Sequence, residues 1–369
     1  MIVGCPKETK NHEYRVGLTP AGVAQIVGAG GTAIVETNAG ARVGFADADY
    51  LAAGARIAAT AAEVYGAAEM IVKVKELQPP EFPATHPGQI LFCFHHFAPE
   101  PRLLQAMLDA GVSCVAYETV TDAAGGLPLL APMSCIAGRL APQVGAWALQ
   151  MANGGSGVLL GGVPGVAPAK VVVIGAGSVG ANATRIAVGM GADVTLFDRD
   201  AEKLAALDAL YAGRVATAVA EPSLLARHVA DADLVIGALL IPGRSAPRPI
   251  DRALLRRMRP GSVLVDVAID QGGVSETSRP TSHTAPLYVE EGVVHYCVAN
   301  MPAAVARTAT LALTQATLPH VLALARLGLA GACTADAGLA AGLQTHRGGV
   351  RHRGLAEDTG RPLAPAVFR

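Results

Sequence analysis

The chain has 369 residues, 51% of them hydrophobic and only 16% charged, and its formal net charge is −1. That length suits two domains with ample material for buried cores. No run of Lys or Arg is present, which excludes a nucleic-acid or anionic-membrane footprint and leaves a small molecule as the expected ligand.

The start, Met1-Ile2-Val3-Gly4-Cys5-Pro6-Lys7-Glu8, has no charged n-region before a long apolar core, so it reads as a first strand rather than a signal peptide. In the first third, short β-branched runs predict strands over 2–4, 32–36, 70–75, 90–94 and 113–117. Helical stretches fall over 19–29, 46–53 and 100–110, the first opened by Thr19 as cap and Pro20 in the first turn. A long helix over 134–151 joins the halves, and the glycine-rich stretch 154–165 reads as loop. A second pattern predicts strands over 171–174, 193–197, 234–237, 263–267 and 295–298. After Asn300-Met301-Pro302 a helix runs to about residue 327. Its segment 311–330 is the nearest approach to a membrane span, but Pro319, His320 and Arg326 interrupt it, and it reads as a buried amphipathic helix. The tail from about Thr345 reads as solvated surface.

Strands alternating with helices imply an α/β fold of two Rossmann-like domains with parallel sheets, joined by long helices, with a cleft between them. The domains expected are a discontinuous first one, 1–128 plus 307–369, and an inserted second one, 129–306. No internal sequence repeat is apparent. The six cysteines form no C-x-x-C pair, so neither a disulfide framework nor a zinc site is expected, and reduced cytosolic thiols fit best.

The most specific motif is Val171-Val172-Val173-Ile174-Gly175-Ala176-Gly177-Ser178-Val179-Gly180, an apolar strand running into G-x-G-x-x-G and then a helix. The first glycine permits the tight turn, the second the approach of a pyrophosphate, and the third close helix–strand packing. Among 42 glycines the motif alone is weak. Here a second strand follows and ends in Asp198, about 20 residues on, where an acid binds the adenine ribose. That carboxylate favours NAD, because it would repel a 2′-phosphate; Arg199 beside it weakens the inference slightly.

Open α/β sheets bind ligands beyond the carboxyl ends of their strands. In the first domain Arg15 lies in the loop after the first strand, Lys75 ends the strand 70–75, and His96 follows the strand 90–94. Arg and Lys can hold a carboxylate and His can move a proton. Read from position alone, Arg15 is equally a solvated loop charge and Lys75 an edge charge. His95 and His96 point in different directions, so one at most faces a ligand. In the second domain Asp270 follows the strand 263–267 ahead of Gly272-Gly273, with a helix cap as its structural reading.

These residues resemble the alanine dehydrogenase family over essentially the whole chain. The resemblance is carried by Pro6-Lys7-Glu8-Thr9-Lys10-Asn11-His12-Glu13-Tyr14-Arg15-Val16, Lys73-Val74-Lys75-Glu76, Leu129-Leu130-Ala131-Pro132-Met133-Ser134, Gly161-Gly162-Val163-Pro164-Gly165-Val166, the glycine fingerprint, Asp266-Val267-Ala268-Ile269-Asp270-Gln271-Gly272-Gly273, and Tyr296-Cys297-Val298-Ala299-Asn300-Met301-Pro302. It implies reversible, NAD-dependent oxidative deamination of L-alanine to pyruvate and ammonia. Arg15 and Lys75 would bind the substrate carboxylate, His96 would be the general acid/base, and Asp270 would assist beside the nicotinamide. Asp198 would hold the adenine ribose. Ser134, Gly175, Gly177, Ser178, Val179, Gly180, Lys203, Leu239, Ile269, Asp270, Val298, Asn300 and Met301 would complete the cofactor site. No metal is expected. A cytoplasmic homohexamer, with no nucleic-acid or membrane partner, is implied as well.

The chain departs from the family pattern M-P-G-A-V-P-R-T-S-T at Ala303, Ala306 and Ala309, which touches the hinge or cofactor contacts. His95 stands where Leu is common. The alternatives are the soluble NAD-binding component of a proton-translocating transhydrogenase, a saccharopine-type dehydrogenase, and a redox-sensing NAD-binding protein. Arg15, Lys75, His96 and Asp270 together favour catalysis.

Overall fold

In the computed structural model, which describes residues 1–239 and 247–365, the first third of the chain alternates strand and helix. The elements are β1 (Ile2–Cys5), α1 (Pro20–Gly28), β2 (Thr32–Glu36), α2 (Asp47–Ala52), β3 (Arg56–Ala58), α3 (Ala61–Ala67), β4 (Met70–Val72), β5 (Ile90–Cys93), α4 (Pro101–Asp109) and β6 (Ser113–Ala116). Then follow α5 (Ala131–Ala148), β7 (Lys170–Ile174), α6 (Ser178–Gly189), β8 (Asp193–Asp198), α7 (Ala201–Tyr211), β9 (Ala216–Val219), α8 (Pro222–Asp231), β10 (Leu234–Gly237), α9 (Arg252–Leu255), β11 (Val263–Asp266), β12 (Leu287–Glu290) and β13 (Val293–Tyr296). The chain closes with α10 (Ala306–Ala335), α11 (Ala337–Ala341), β14 (Leu343–His346), β15 (Gly349–Val350) and α12 (Arg353–Thr359).

The described chain divides into two units, Met1–Met133 with Val305–Arg369, and Ser134–Ala304. The first unit holds an eight-stranded sheet in the order β15-β14-β6-β5-β4-β1-β2-β3, and the second a seven-stranded sheet in the order β12-β13-β11-β10-β7-β8-β9. From β6 to β3, and from β13 to β9, the strands run parallel. Read from their outer edges, β3-β2-β1-β4-β5-β6 and β9-β8-β7-β10-β11-β13 have one topology, the doubly wound order that reverses at the first strand. Ligands of such sheets bind where that reversal opens the strand ends, beyond β1 and β4 in one unit and beyond β7 and β10 in the other.

Local chemistry explains the elements. Thr19 accepts from Gly22 N and Pro20 takes the first turn of α1. β4, β5, β6, β10 and β11 are buried along their length, as parallel strands covered on both faces must be. One face of the first sheet packs Val64, Tyr65, Leu104, Met107 and Leu355 into a core, and the second unit does likewise with Leu225, Val229, Leu254, Leu255 and Val274.

Two expectations are corrected. The sheets are not wholly parallel: β12 pairs antiparallel with β13, β14 with β6, and β15 with β14. The tail is not mere solvated surface either. Thr345 is fully buried, His346 Nδ1 lies 2.8 Å from Ser113 Oγ, and Leu355 and Ala356 enter the core.

Among the described residues one helical stretch, Met301–Ala335, is long and apolar enough to cross a membrane. Here it is amphipathic. Ala306, Ala309, Thr310, Leu313, Thr314, Thr317, Val321 and Leu324 form one buried stripe, and Gly328 kinks the helix at φ 67°.

Candidate active site

In the first unit the loop after β1 carries Arg15 back against the sheet. Arg15 is 2% exposed, so it is no solvated loop charge. Its Nε and Nη2 donate to the two carboxylate oxygens of Glu13 at 2.7 and 2.6 Å, a bidentate pair that fixes the guanidinium plane. Lys75 lies three residues beyond the end of β4, not on the strand as expected. Its Nζ sits 6.0 Å from the Phe94 ring centroid. The His96 ring stacks on the same Phe94, with centroids 5.8 Å apart and an interplanar angle of 7°.

The two histidines have separate fates. His95 is fully buried and stacks on Phe97 at 4.8 Å, and burial pushes its pKa down to about 4. His96 is partly buried and has a left-handed backbone, φ 47°. Burial, and then the cations of Lys75 and Lys10, with His95 and Arg15 behind them, hold its pKa well below 6.5. Arg15, Lys75 and His96 thus share one crest and one electrostatic field. It is a neutral imidazole among fixed positive charges.

Beneath the crest lies a buried ion cluster that sequence reasoning missed. Lys73, 1% exposed, donates to Glu81 Oε1 at 2.7 Å and lies 3.4 Å from Glu8 Oε2. Tyr65 Oη also donates to Glu81, at 3.0 Å. Glu8 Oε1 accepts the amides of Val74 at 2.7 Å and Lys75 at 3.3 Å, so it anchors the backbone that presents Lys75. Burial pushes the Glu8 carboxyl up to about 7 against the pull of Lys73.

In the second unit β7 runs into the glycine turn. Gly175 has φ 108°, and a Cβ there would press on the Ala238 carbonyl and on Leu239. A Cβ at Gly180 would collide with the Gly175 carbonyl, whereas one at Gly177 meets nothing within 4 Å among the described residues. Gly177 and Ser178 are exposed, and Gly177 gives α6 no side-chain cap among the described residues. The opening of a twelve-residue helix therefore presents amides and partial positive charge that no side chain caps among the described residues, with Val179 in its first turn. This is the cradle a pyrophosphate needs, so the residues fit a dinucleotide. Asp198 ends β8. Its carboxylate accepts from Ala176 N at 2.5 Å and Asp200 N at 2.9 Å, latching the glycine turn. Arg199 is exposed.

The other expected cofactor residues are scattered over this unit. Leu239 packs beside Gly175, and Ile269 is buried on the 3-10 turn after β11. Val298 is buried past β13, Asn300 is left-handed at φ 70°, and Met301 is buried. Ser134 lies in α5, partly exposed. Lys203 is exposed on α7, 3.4 Å from Asp200. Asp270 is not at the strand's end. Asp266 is, and it takes the capping role, accepting from Ala268 N at 3.1 Å, Val274 N at 2.7 Å and Ser278 Oγ at 2.5 Å. Asp270 is exposed on the turn that Asp266 ties down.

Two family models match the chain one after the other, the second running past residue 304 into the first unit. The family described as alanine dehydrogenase/PNT, N-terminal domain, matches residues 4–137, and alanine dehydrogenase/PNT, C-terminal domain, matches residues 141–353. The chain belongs to the alanine dehydrogenase/PNT family. An alanine dehydrogenase from Halomonas elongata is 54% identical over 360 residues, covering 98% of this chain and 97% of the relative. A solved L-alanine dehydrogenase superposes with TM-score 0.95 at 48% identity, covering 98% of this chain and 99% of the other. A transhydrogenase from Sinorhizobium meliloti matches with TM-score 0.79 at 28% identity, covering 96% and 99%.

Departures from the alanine dehydrogenase/PNT pattern have simple structural places. His95 fills a core position, where an apolar Leu would also fit, and adds no second proton carrier to the crest. Ala306 is the first residue of α10, a position that favours Pro but needs no amide bond from its occupant. Ala303 and Ala309 are fully buried.

Proposed function

We propose that this chain is an NAD-dependent L-alanine dehydrogenase that interconverts L-alanine with pyruvate and ammonia. The observation that carries the reading is the shared crest of Arg15, Lys75 and a neutral His96, in a chain 54% identical to an alanine dehydrogenase. The test is direct: purified protein should oxidise NADH when given pyruvate and ammonium together, and not with either alone. The 28% identical transhydrogenase favours a second reading, an NAD-binding component that needs a partner domain. Turnover by the isolated chain separates the two.

In this reading Arg15 and Lys75 hold the substrate carboxylate and so orient the α-hydrogen, an effect of positioning. The bound cofactor supplies the hydride acceptor. Gly175, Gly177, Ser178, Val179 and Gly180 hold its pyrophosphate, and Asp198 its ribose, with Ser134, Lys203, Leu239, Ile269, Val298, Asn300 and Met301 around the remainder. His96, neutral at rest, takes a proton from the water that adds to the iminium carbon and returns it to the amine nitrogen, so that ammonia leaves as the carbonyl forms and the hydroxyl proton passes back to His96. A bound carboxylate offsets the charges of Lys75 and Arg15, which raises the basicity of His96 when substrate is present. Asp270 assists the water and amine steps. The family's homohexameric, cytoplasmic form belongs to the same reading; light scattering that gave a 37.5 kDa monomer would remove the hexamer.

Lys75→Ala should damage substrate use specifically. Loss of one charge-assisted partner to a carboxylate costs about 2–3 kcal/mol, or roughly 30–150-fold in kcat/KM for pyruvate. NADH affinity should hold. If cofactor affinity collapses and substrate kinetics do not, the roles given to the two units are wrong.

Cofactor choice is the second test. A 2′-phosphate would meet the Asp198 carboxylate, at a cost of at least about 2–3 kcal/mol, or roughly 30–150-fold in favour of NADH over NADPH. Equal kcat/KM for the two in the wild type would sink the assignment. Asp198→Ala should narrow the gap, and it should also lower NADH efficiency because the glycine turn loses its latch.

A further inference from the structure

The left-handed backbone of His96 needs an explanation. A φ of 47° is unfavourable for a residue with a Cβ and persists only where surroundings over-determine it. Those surroundings come from the neighbouring strand, β6, which pairs parallel with β5. Just beyond β6, Glu118 accepts the amide of His96 at 2.7 Å and that of His95 at 3.1 Å on one oxygen, Oε1, and reaches His95 N at 3.3 Å with Oε2. Two successive amides converging on one oxygen form a small anion-binding concavity, here filled from within the protein. Next to Glu118, Tyr117 packs edge-on against Phe94 at 5.2 Å, and Phe94 carries the stacked His96 ring.

We infer that Glu118 is a positioning residue for His96: its carboxylate holds the strained turn that aims the imidazole. Glu118 touches neither reacting atoms nor cofactor in this scheme. The inference rests on the proposed acid/base role of His96. A residue that only supported the fold would weaken stability and leave the chemistry intact. A residue that aims His96 must act through it.

The experiment compares Glu118→Ala, Glu118→Gln and Glu118→Asp, each alone and with His96→Ala. A misplaced catalytic group costs about 10²-fold, so Glu118→Ala should lower kcat by about that factor, with KM for pyruvate unchanged or lower. Glu118→Gln keeps an oxygen where Oε1 stands, and should stay within about 5-fold of wild-type kcat because neutral bonds retain about half the strength. Glu118→Asp keeps the charge but withdraws the oxygen, and should fall below the Gln variant. That ordering decides the matter even if the Ala variant does not fold, since a role of charge alone would put Asp above Gln. With His96→Ala already present, no Glu118 change should reduce kcat further. Full multiplication of the two losses, or wild-type kcat in Glu118→Ala beside an inactive His96→Ala, would overturn the inference. Wild-type turnover in His96→Ala would instead remove the acid/base reading on which it rests.

Discussion

Replacing His96 with Ala should lower kcat by about 10²-fold or more and leave NADH binding nearly unchanged, because a positioned acid/base contributes about 10²–10⁴. The imidazole is suited to the task by its setting. Burial comes first, and the cations of Lys75, Lys10 and Arg15 add to it, so the ring stays unprotonated through neutral pH. The acid limb of kcat/KM that belongs to His96 in the free enzyme therefore lies below pH 6.5, the ordinary histidine value. His95 is no substitute, since its ring is stacked in the core against Phe97. Single-turnover rates and NADH titration, run side by side, check the claim. Turnover like the wild type's would take His96 out of the reaction.

The largest effect on stability should come from Lys73→Met. The change conserves volume, so packing is little disturbed, but it leaves Glu8 and Glu81 buried without their cation. Removing one partner of a buried ion pair costs about 3–5 kcal/mol. The loss should depend on pH with a definite sign. Glu8 in the folded wild type already titrates at about 7, above its ordinary 4.5, because burial disfavours the carboxylate more than Lys73 favours it. A carboxyl raised in the folded state binds more protons there than in the unfolded chain, so stability falls as pH rises from about 4.5 through the folded value. Without Lys73 the folded value moves higher still, and the decline extends further. Urea unfolding should show a smaller deficit near pH 4.5 than at pH 8, with the difference widening as pH rises above about 7. A deficit that did not grow with pH would mean that Lys73 does not neutralise this cluster.

What could be read in the sequence was decided by burial. Strands covered on both faces are continuous apolar runs, and 32–36 and 234–237 coincide with β2 and β10. β3 and β9 carry no such run, because each is a short edge strand, partly exposed, with a composition as much helical as extended. β14, Leu-Gln-Thr-His, looks polar and is buried; only its pairing with β6 and the Ser113 partner of His346 show why. The basic residues of the candidate site were legible from their places after strands. The carboxylates that hold them were not, because buried charges break the rule that charged residues lie outside. Lys73 and Glu8 face one another across a stretch of sequence that no local pattern connects. Glu118 does carry a signal, an acid directly after the run Ser113–Tyr117, as Asp270 follows the run 263–267.

The two units share a strand order but treat an incoming anion in opposite ways. At the crest of the first, the amides of Val74 and Lys75 are taken by Glu8, and those of His95 and His96 by Glu118. That crest is ligated by its own carboxylates, and it offers an anion side-chain cations instead. At the crest of the second, Asp198 takes only the Ala176 amide of the glycine turn, and the opening turn of α6 has no side-chain cap among the described residues. A phosphate suits the second crest, where a helix end can surround it. A small carboxylate suits the first, where point charges fix its direction. On the proposed reading, one strand order serves two anions of different size, a carboxylate at one crest and a pyrophosphate at the other.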